Sequence, residues 1–398
     1  MEAVAICRDH TSTRPEPARI LIADDQPHIL VALEMLLHGS GFSTHVVTDP
    51  ARVLPAMEAE QFDAVLMDLN YTRGIVAGRE GLDLVSQIRS VDGLLPVVVM
   101  TAWSSVDLAV EAMRRGASDF VQKPWENDEL LQKLQNQLAL ARAQRRAQRM
   151  RQEELRDARE IQDSLLPKTL PDINGYEIAS MTQPLKFVGG DYYNVVRVSD
   201  DETVFCIADV AGKGMPAALL MSSLHAALKP LMSQKLGPAE LCHRLNHILC
   251  DFTPVGKFCS FFYGVLDHVE HRLTYCNAGH NPPLLMRADG TALELGASGA
   301  VLGQFPDWVY EQSELRLKGG DMLLLFTDGL VEACNPADEP FGEDGVSRIA
   351  RESLSCGAEG VMKALIGAAS EHCGGHFQDD ASLIVLKART DDGASIPE

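Results

Sequence analysis

The 398-residue chain is short of positive charge: 35 Lys and Arg stand against 56 Asp and Glu, a formal net charge of −21. Phosphate backbones are held by clustered Lys and Arg, so this balance argues against a nucleic-acid binder. Long apolar runs are also lacking. No stretch reaches the roughly 18–20 residues that a membrane span needs, and no membrane partner is expected. Residues 1–17 have no apolar signal core and read as a disordered leader, and residues 389–398 as a disordered tail. The nine cysteines are odd in number and never form a CxxC pair. Structural disulfides belong to oxidising compartments, so the thiols read as reduced and the protein as cytoplasmic. Cys242-His243 with His247, and His372-Cys373 with His376, are compact, but neither has a second half at zinc-ligand spacing. They read as helix-surface and loop residues.

What is present is ordinary globular material. At 46% hydrophobic residues, the chain can build real cores in two to three domains. Residues 18–125 alternate apolar runs with amphipathic segments. Strands are expected at 19–23, 44–47, 64–67, 96–100 and 119–121, and helices at 27–37, 81–89 and 106–115. Near-continuous apolar strands between helices predict an α/β fold with a doubly wound five-stranded parallel sheet. Sites of such sheets lie at the carboxyl ends of the strands. The polar residues there are Asp24, Asp25, Asp68, Thr101 and Lys123. Three carboxylates in one crevice repel each other unless a cation binds, which points to Mg²⁺. Asp68 could then attack a phosphoryl group, with Lys123 neutralising the added charge and Thr101 donating a hydrogen bond. Lys123-Pro124 invites a cis peptide.

This ordered set resembles the receiver domain of two-component response regulators. The resemblance implies a phosphoacceptor at Asp68, Mg²⁺ held by Asp24 and Asp25, Phe120 at the aromatic switch position and a histidine kinase as phosphodonor. The long loop from 70 to 81 departs from the pattern but removes no catalytic group.

Residues 126–163 form the connector. Proline and glycine are absent from 126–162, and one long helix is expected. Leu131, Leu134, Leu138 and Ala141 step by 3, 4 and 3, the spacing of a heptad seam. The same register then meets Arg145, Gln148 and Gln152 before Leu155. The seam is therefore apolar at its ends and polar in its middle, which predicts a marginal coiled coil with a second copy of the chain. The cluster Arg142, Arg145, Arg146, Arg149 and Arg151 reads as a solvated face. The helix should stop at Leu166-Pro167.

Residues 164–388 read as α+β, with strands at 176–180, 192–198, 203–208, 259–267, 272–277, 283–286, 321–327 and 381–386. Helices are expected at 215–232, 238–250 and 358–372. Antiparallel hairpins with helices outside predict an α-β-β-α sandwich. Carboxylates gather at the strand ends: Asp191, Asp209, Asp328 and the pair Asp379-Asp380. Gly190 and Gly212 let backbone come close to whatever they hold. Crowded carboxylates are costly unless divalent cations remove the repulsion, and such cations activate water for in-line attack on phosphorus. His280 reads as a turn histidine before a general acid, and Lys213 as a substrate contact or a helix cap.

The stretches VGGDYYN, DVAGKG, NAGHNPP, TDGLVEA and DDAS resemble, in order, the PPM family of metal-dependent serine/threonine phosphatases. The similarity is to the bacterial branch that controls sporulation and stress sigma factors. It implies two Mn²⁺ or Mg²⁺ ions bridged by Asp209. Asp328 and Asp379 would complete one ion and the Val210 carbonyl would serve the other. Asp191 would act through water, and Asp380 would support the ligands. It also implies a substrate, a phosphorylated STAS-type anti-sigma factor antagonist. Asn194 departs from the pattern, standing where the branch usually has another Asp. A non-catalytic, phosphatase-like adaptor is the alternative function. It is disfavoured because Asp191, Asp209, Asp328 and Asp379 are all present.

Overall fold

The computed structural model describes residues 17–71, 79–102, 106–296 and 298–390. Most of the leader, most of the 70–81 loop and most of the tail thus lie outside the described residues. Contacts divide the chain into two units, Met1–Gln152 and Glu153–Glu398. Among the described residues, no helix is long and apolar enough to cross a membrane.

The first unit runs β1 (Arg19–Ala23), α1 (Pro27–Gly39), β2 (Ser43–Val47), α2 (Val53–Ala59), β3 (Ala64–Asp68), α3 (Arg79–Val91), β4 (Val97–Ala102), α4 (Val106–Arg114), β5 (Asp119–Lys123) and α5 (Asn127–Leu165). The sheet order is β2-β1-β3-β4-β5, all parallel. Side chains alternate between its faces. Leu21, Val65, Val97 and Val99 pack with Val53, Leu82, Val85 and Ile88 on one side. Ile20, Ile22, Leu66 and Val98 pack with Leu33, Leu37, Leu130 and Leu134 on the other. Burial on both faces explains why these strands are apolar throughout.

The second of those cores corrects one expectation. Leu134 and Leu138, expected in a seam against a second chain, are buried with Leu130 against the unit's own sheet, and Leu131 packs at the edge of the same core. The 3-4-3 spacing records an amphipathic helix covering a sheet, a pattern that an isolated sequence cannot tell from a coiled-coil seam. Beyond it, α5 runs unbroken to Leu165 and ends just before Pro167, because the residue before proline is driven out of the helical region. Leu140, Met150 and Ile161 are exposed along it.

The second unit contains β6 (Tyr176–Gln183), β7 (Tyr192–Arg197), β8 (Glu202–Val210), α6 (Met215–Met232), α7 (Pro238–Cys250), β9 (Cys259–Asp267), β10 (Arg272–Ala278), β11 (Leu284–Met286), β12 (Ala292–Glu294), β13 (Ser313–Arg316), β14 (Met322–Phe326), α8 (Asp328–Val331), α9 (Gly342–Glu352), α10 (Ala358–His372) and β15 (Ala381–Ala388). Two antiparallel sheets form, β13-β10-β9-β8-β7 and β12-β11-β14-β15-β6. Phe205, Ile207 and Phe262 of the first face Leu323, Leu325 and Ile384 of the second across the central core. The outer face of the first sheet buries Cys206 and Ala208 under Met221, Leu224 and Leu245 of α6 and α7. The outer face of the second buries Leu324 and Val385 under Val361, Leu365 and Ile349 of α9 and α10. The expected α-β-β-α sandwich is present. The short strands β12 and β13 and the helices α2, α8 and α9 were not anticipated.

Replacing fully buried Leu134 by Ala should cost about 2–5 kcal/mol. Urea unfolding of the full chain should show the same loss, relative to wild type at equal concentration, at every protein concentration. A loss that grows on dilution would return the stripe to a second copy.

Candidate metal centres

In the second unit, the sheets bring the carboxylates to one end of the sandwich. Asp191 immediately precedes β7 and Asp209 lies near the end of β8, where the register Tyr192↔Ala208 sets them side by side. Asp328 follows β14, Asp379 and Asp380 precede β15, and the register Phe326↔Leu383 brings those ends together. Thr327 ties the two sheets: its hydroxyl donates to Asp191 Oδ2 at 2.8 Å and accepts from the Ser382 N–H at 2.9 Å.

Close packing depends on three glycines. A Cβ on Gly329 would overlap the Asp380 carbonyl, and one on Gly189 would strike the Asp380 carboxylate. A Cβ on Gly190 would stand 2.9 Å from the Val210 carbonyl oxygen. Asp380 accepts from the Gly190 N–H and the Leu185 N–H, each at 2.7 Å, so it shapes the loop that presents Asp191. Gly212 turns the chain after β8 with φ +119°, a conformation that favours glycine.

The electrostatics are those of a site built for cations. Burial, then repulsion from Asp328 and Asp379, pushes Asp209 up to about 7. Burial, then Glu332 and Asp379, pushes Asp328 up to about 6. Asp191 is held well above the ordinary carboxylate range by burial and by Asp209. Its Oδ1 is buried without a hydrogen-bond partner. Lys213 places its ammonium 2.8 Å from Asp379 Oδ2 and 2.8 Å from the Gln378 carbonyl, a cation drawn to the cluster's edge. All-oxygen donors, an orphaned buried carboxylate oxygen and mutual repulsion fit Mg²⁺ or Mn²⁺. Asp209, Asp328, Asp379 and the Val210 carbonyl are the groups that could hold such ions.

Lys213 does not cap α6, whose first turn follows Gly214. His280 is buried and neutral, its pKa pushed down to about 4 by burial. Its ring Nδ1 pairs with the Ser260 hydroxyl at 2.8 Å and its backbone N–H donates to Asn277 Oδ1. It orders the loop after β10. Asn194 bonds the Tyr192 hydroxyl at 3.1 Å. Cys242 faces the core while His243 and His247 meet edge to face on the helix surface, so these three do not converge.

Gln162, near the end of α5, belongs to the 158–162 stretch that resembles the regulatory lead-in of the same phosphatase branch, and sequence reasoning gave it no contact of its own. It is buried, and its amide grips the Gly189 backbone in both directions: Nε2 donates to the carbonyl at 2.7 Å and Oε1 accepts from the N–H at 3.1 Å.

In the first unit, Asp24, Asp25 and Asp68 offer carboxylate oxygens within 4.8 Å of one another. Lys123 Nζ bridges Asp24 at 2.6 Å and Asp68 at 2.8 Å. Burial raises Asp68 despite the Lys123 charge. Thr101 is buried at the end of β4, and the Lys123-Pro124 peptide is cis. Phe120 is half-exposed, with the Lys133 ammonium 5.0 Å over its ring. The oxygen cluster fits Mg²⁺: Asp24, Asp25, Asp68 and Lys123 converge, and Thr101 lies on the neighbouring strand end.

Comparison with known proteins accords with both domains. A family model for the response regulator receiver domain matches residues 20–135, and one for stage II sporulation protein E (SpoIIE) matches residues 199–389. Phosphoserine phosphatase RsbU of Bacillus subtilis (strain 168) is 31% identical over 238 residues, 59% of this chain and 70% of RsbU. The chain belongs to the SpoIIE-type PPM phosphatases. It is a PPM-type protein phosphatase with an N-terminal receiver domain joined to it by α5. Phosphoserine phosphatase RsbP of the same bacterium is 31% identical over 184 residues, but only 45% of either chain is covered. The fold is shared with the SiaA-PP2C domain of Pseudomonas aeruginosa, at 22% identity and TM-score 0.54, covering 62% of this chain and 99% of that one.

An aspartate whose folded pKa lies above its unfolded value binds more protons when folded. Stability is therefore lost as pH rises from the ordinary 3.8 through the raised values of about 6 and about 7. Stripped of metal, the phosphatase domain should melt lower at pH 8 than at pH 5, and Mn²⁺ should restore it at pH 8. Asp209→Asn should flatten the metal-free slope. A wild-type slope equal to that of Asp209→Asn would contradict the crowding described.

Proposed function

We propose that this chain is a cytoplasmic response regulator that removes phosphate from phosphoserine or phosphothreonine on a partner protein. The partner is a STAS-type anti-sigma factor antagonist, and turnover is controlled by phosphorylation of Asp68. The observation that carries the regulatory part is the Gln162 grip on Gly189. One helix begins beside the receiver sheet and ends on the loop that presents Asp191. A shift of that helix changes what holds Asp191 in place.

When bound, two divalent cations supply charge neutralisation and activate water for attack at phosphorus. The chain's residues do the rest. Asp209, Asp328 and Asp379 concentrate negative charge, and Thr327 and Asp380 hold Asp191 in position. Lys213, half-exposed on the rim, leaves Asp379 to meet the incoming phosphoryl group. In the receiver, Asp68 accepts phosphate from a histidine kinase with Mg²⁺ on Asp24 and Asp25. Lys123 then exchanges a carboxylate partner for the phosphoryl oxygens. Two copies pair through the receivers and the exposed part of α5. A receiver interface of a few kcal/mol is enough to tip such a marginal connector.

With Mn²⁺ and a phosphorylated STAS protein, the wild type should release phosphate and Asp209→Ala should not. Retained activity in Asp209→Ala would remove the bridging assignment. A phosphodonor for the receiver should change the wild-type rate but not that of Asp68→Asn; equal rates in all four cases would contradict control by Asp68. Gln162→Ala leaves the Gly189 backbone without its buried partners, which costs about 1–3 kcal/mol per group. It should lower turnover and blunt the response to the phosphodonor.

A further inference from the structure

Away from the carboxylates, the phosphatase domain holds a cavity of about 650 Å³ between the end of α5, strand β7 and the last turn of α6. Its floor is apolar: Leu165, Leu166, Val196, Val198 and Met232 line it. Its rim carries Arg197, Lys229 and Lys235, and no Asp or Glu lines it. On a chain in which acids outnumber bases 56 to 35, a concave surface with cations and no anions stands apart. Arg197 is already engaged, donating to the Ser199 and Asp200 carbonyls and pairing with the Asp200 carboxylate at 3.4 Å, so its charge is answered from outside the lining. Lys229 and Lys235 form no ion pair among the described residues. The carbonyl of Pro230 in the last turn of α6 accepts from the Ser233 hydroxyl at 2.8 Å, which reduces the negative end of that helix.

Asn194 sharpens the picture. Side chains alternate along β7, so Asn194 and Val196 share the α6 face with Tyr192. The Asn194 amide donates to the Tyr192 hydroxyl, which pairs with His225 Nδ1 at 3.1 Å. Here the wall is neutral, with an amide where a carboxylate would repel an anion.

We propose that this cavity binds a small organic carboxylate with an apolar body. The carboxylate lies between Lys229 and Lys235, and the body covers Leu165, Leu166, Val196 and Met232. The volume falls in the range of about 300–1,000 Å³ typical of small-ligand sites. The end of α5 forms one wall, so the occupant touches the same helix end that carries Gln162. The inference concerns binding and stands apart from the phosphatase substrate.

Sodium octanoate is the probe, titrated into the full chain by calorimetry and followed by saturation-transfer NMR, with octylammonium as its charge-reversed counterpart. Saturable one-to-one binding of octanoate and no binding of octylammonium are expected. Asn194→Asp, and separately Lys229→Gln with Lys235→Gln, should each weaken octanoate about tenfold or more, a change of about 1.4 kcal/mol. Asn194→Asp is isosteric and Lys→Gln keeps a long polar side chain without the charge, and a circular dichroism melt checks the fold. Unsaturable octanoate heats, equal binding of the two probes, or unchanged affinity in the variants would overturn the proposal.

Discussion

Repulsion among carboxylates governs this molecule. Two like charges 4 Å apart cost about 4 kcal/mol at an effective dielectric constant of about 20. The phosphatase domain nevertheless gathers Asp191, Asp209, Asp328, Asp379 and Asp380 at one end of its sandwich and buries much of them. That arrangement is tolerable only with protons or cations in place. The raised pKa values of Asp209 and Asp328 are the proton answer, and divalent cations are the answer that does chemistry. Much of the local architecture serves to hold the cluster together against this repulsion. Gly329 and Gly190 allow backbone to close on it, Thr327 links the two sheets through it, and Asp380 braces the loop that presents Asp191.

The receiver site poses the same problem on a smaller scale and meets it with a built-in cation. Lys123 sits between Asp24 and Asp68, so the first unit holds its carboxylates with one lysine. The phosphatase domain has Lys213 at the edge only, on Asp379. Lys123 is mostly buried and Lys213 is half-exposed. That contrast fits one lysine that belongs permanently to its site and another that can yield.

Both clusters were legible in the sequence because carboxylates at the ends of apolar strands beside glycines leave a local trace. Their neighbours were less so. Gln162 lies 27 residues from Gly189 and touches it only because α5 docks there, which no local pattern encodes. The role of Gly329 depends on β15 arriving from fifty residues downstream. The apolar stripe of α5 was visible but its partner was not, since covering a sheet and pairing with a helix use the same spacing. Strands β12 and β13 were missed because they are short and largely exposed, so period-two alternation never develops.

The most direct test is electron paramagnetic resonance of the Mn²⁺-loaded full chain. If the carboxylates form one site for two cations, the spectrum should contain a spin-coupled Mn²⁺ pair. The pair should persist in Asp24→Asn with Asp25→Asn, which alters only the receiver, and vanish in Asp209→Asn. Isolated Mn²⁺ signals alone, or a coupled pair that survives Asp209→Asn, would contradict the account.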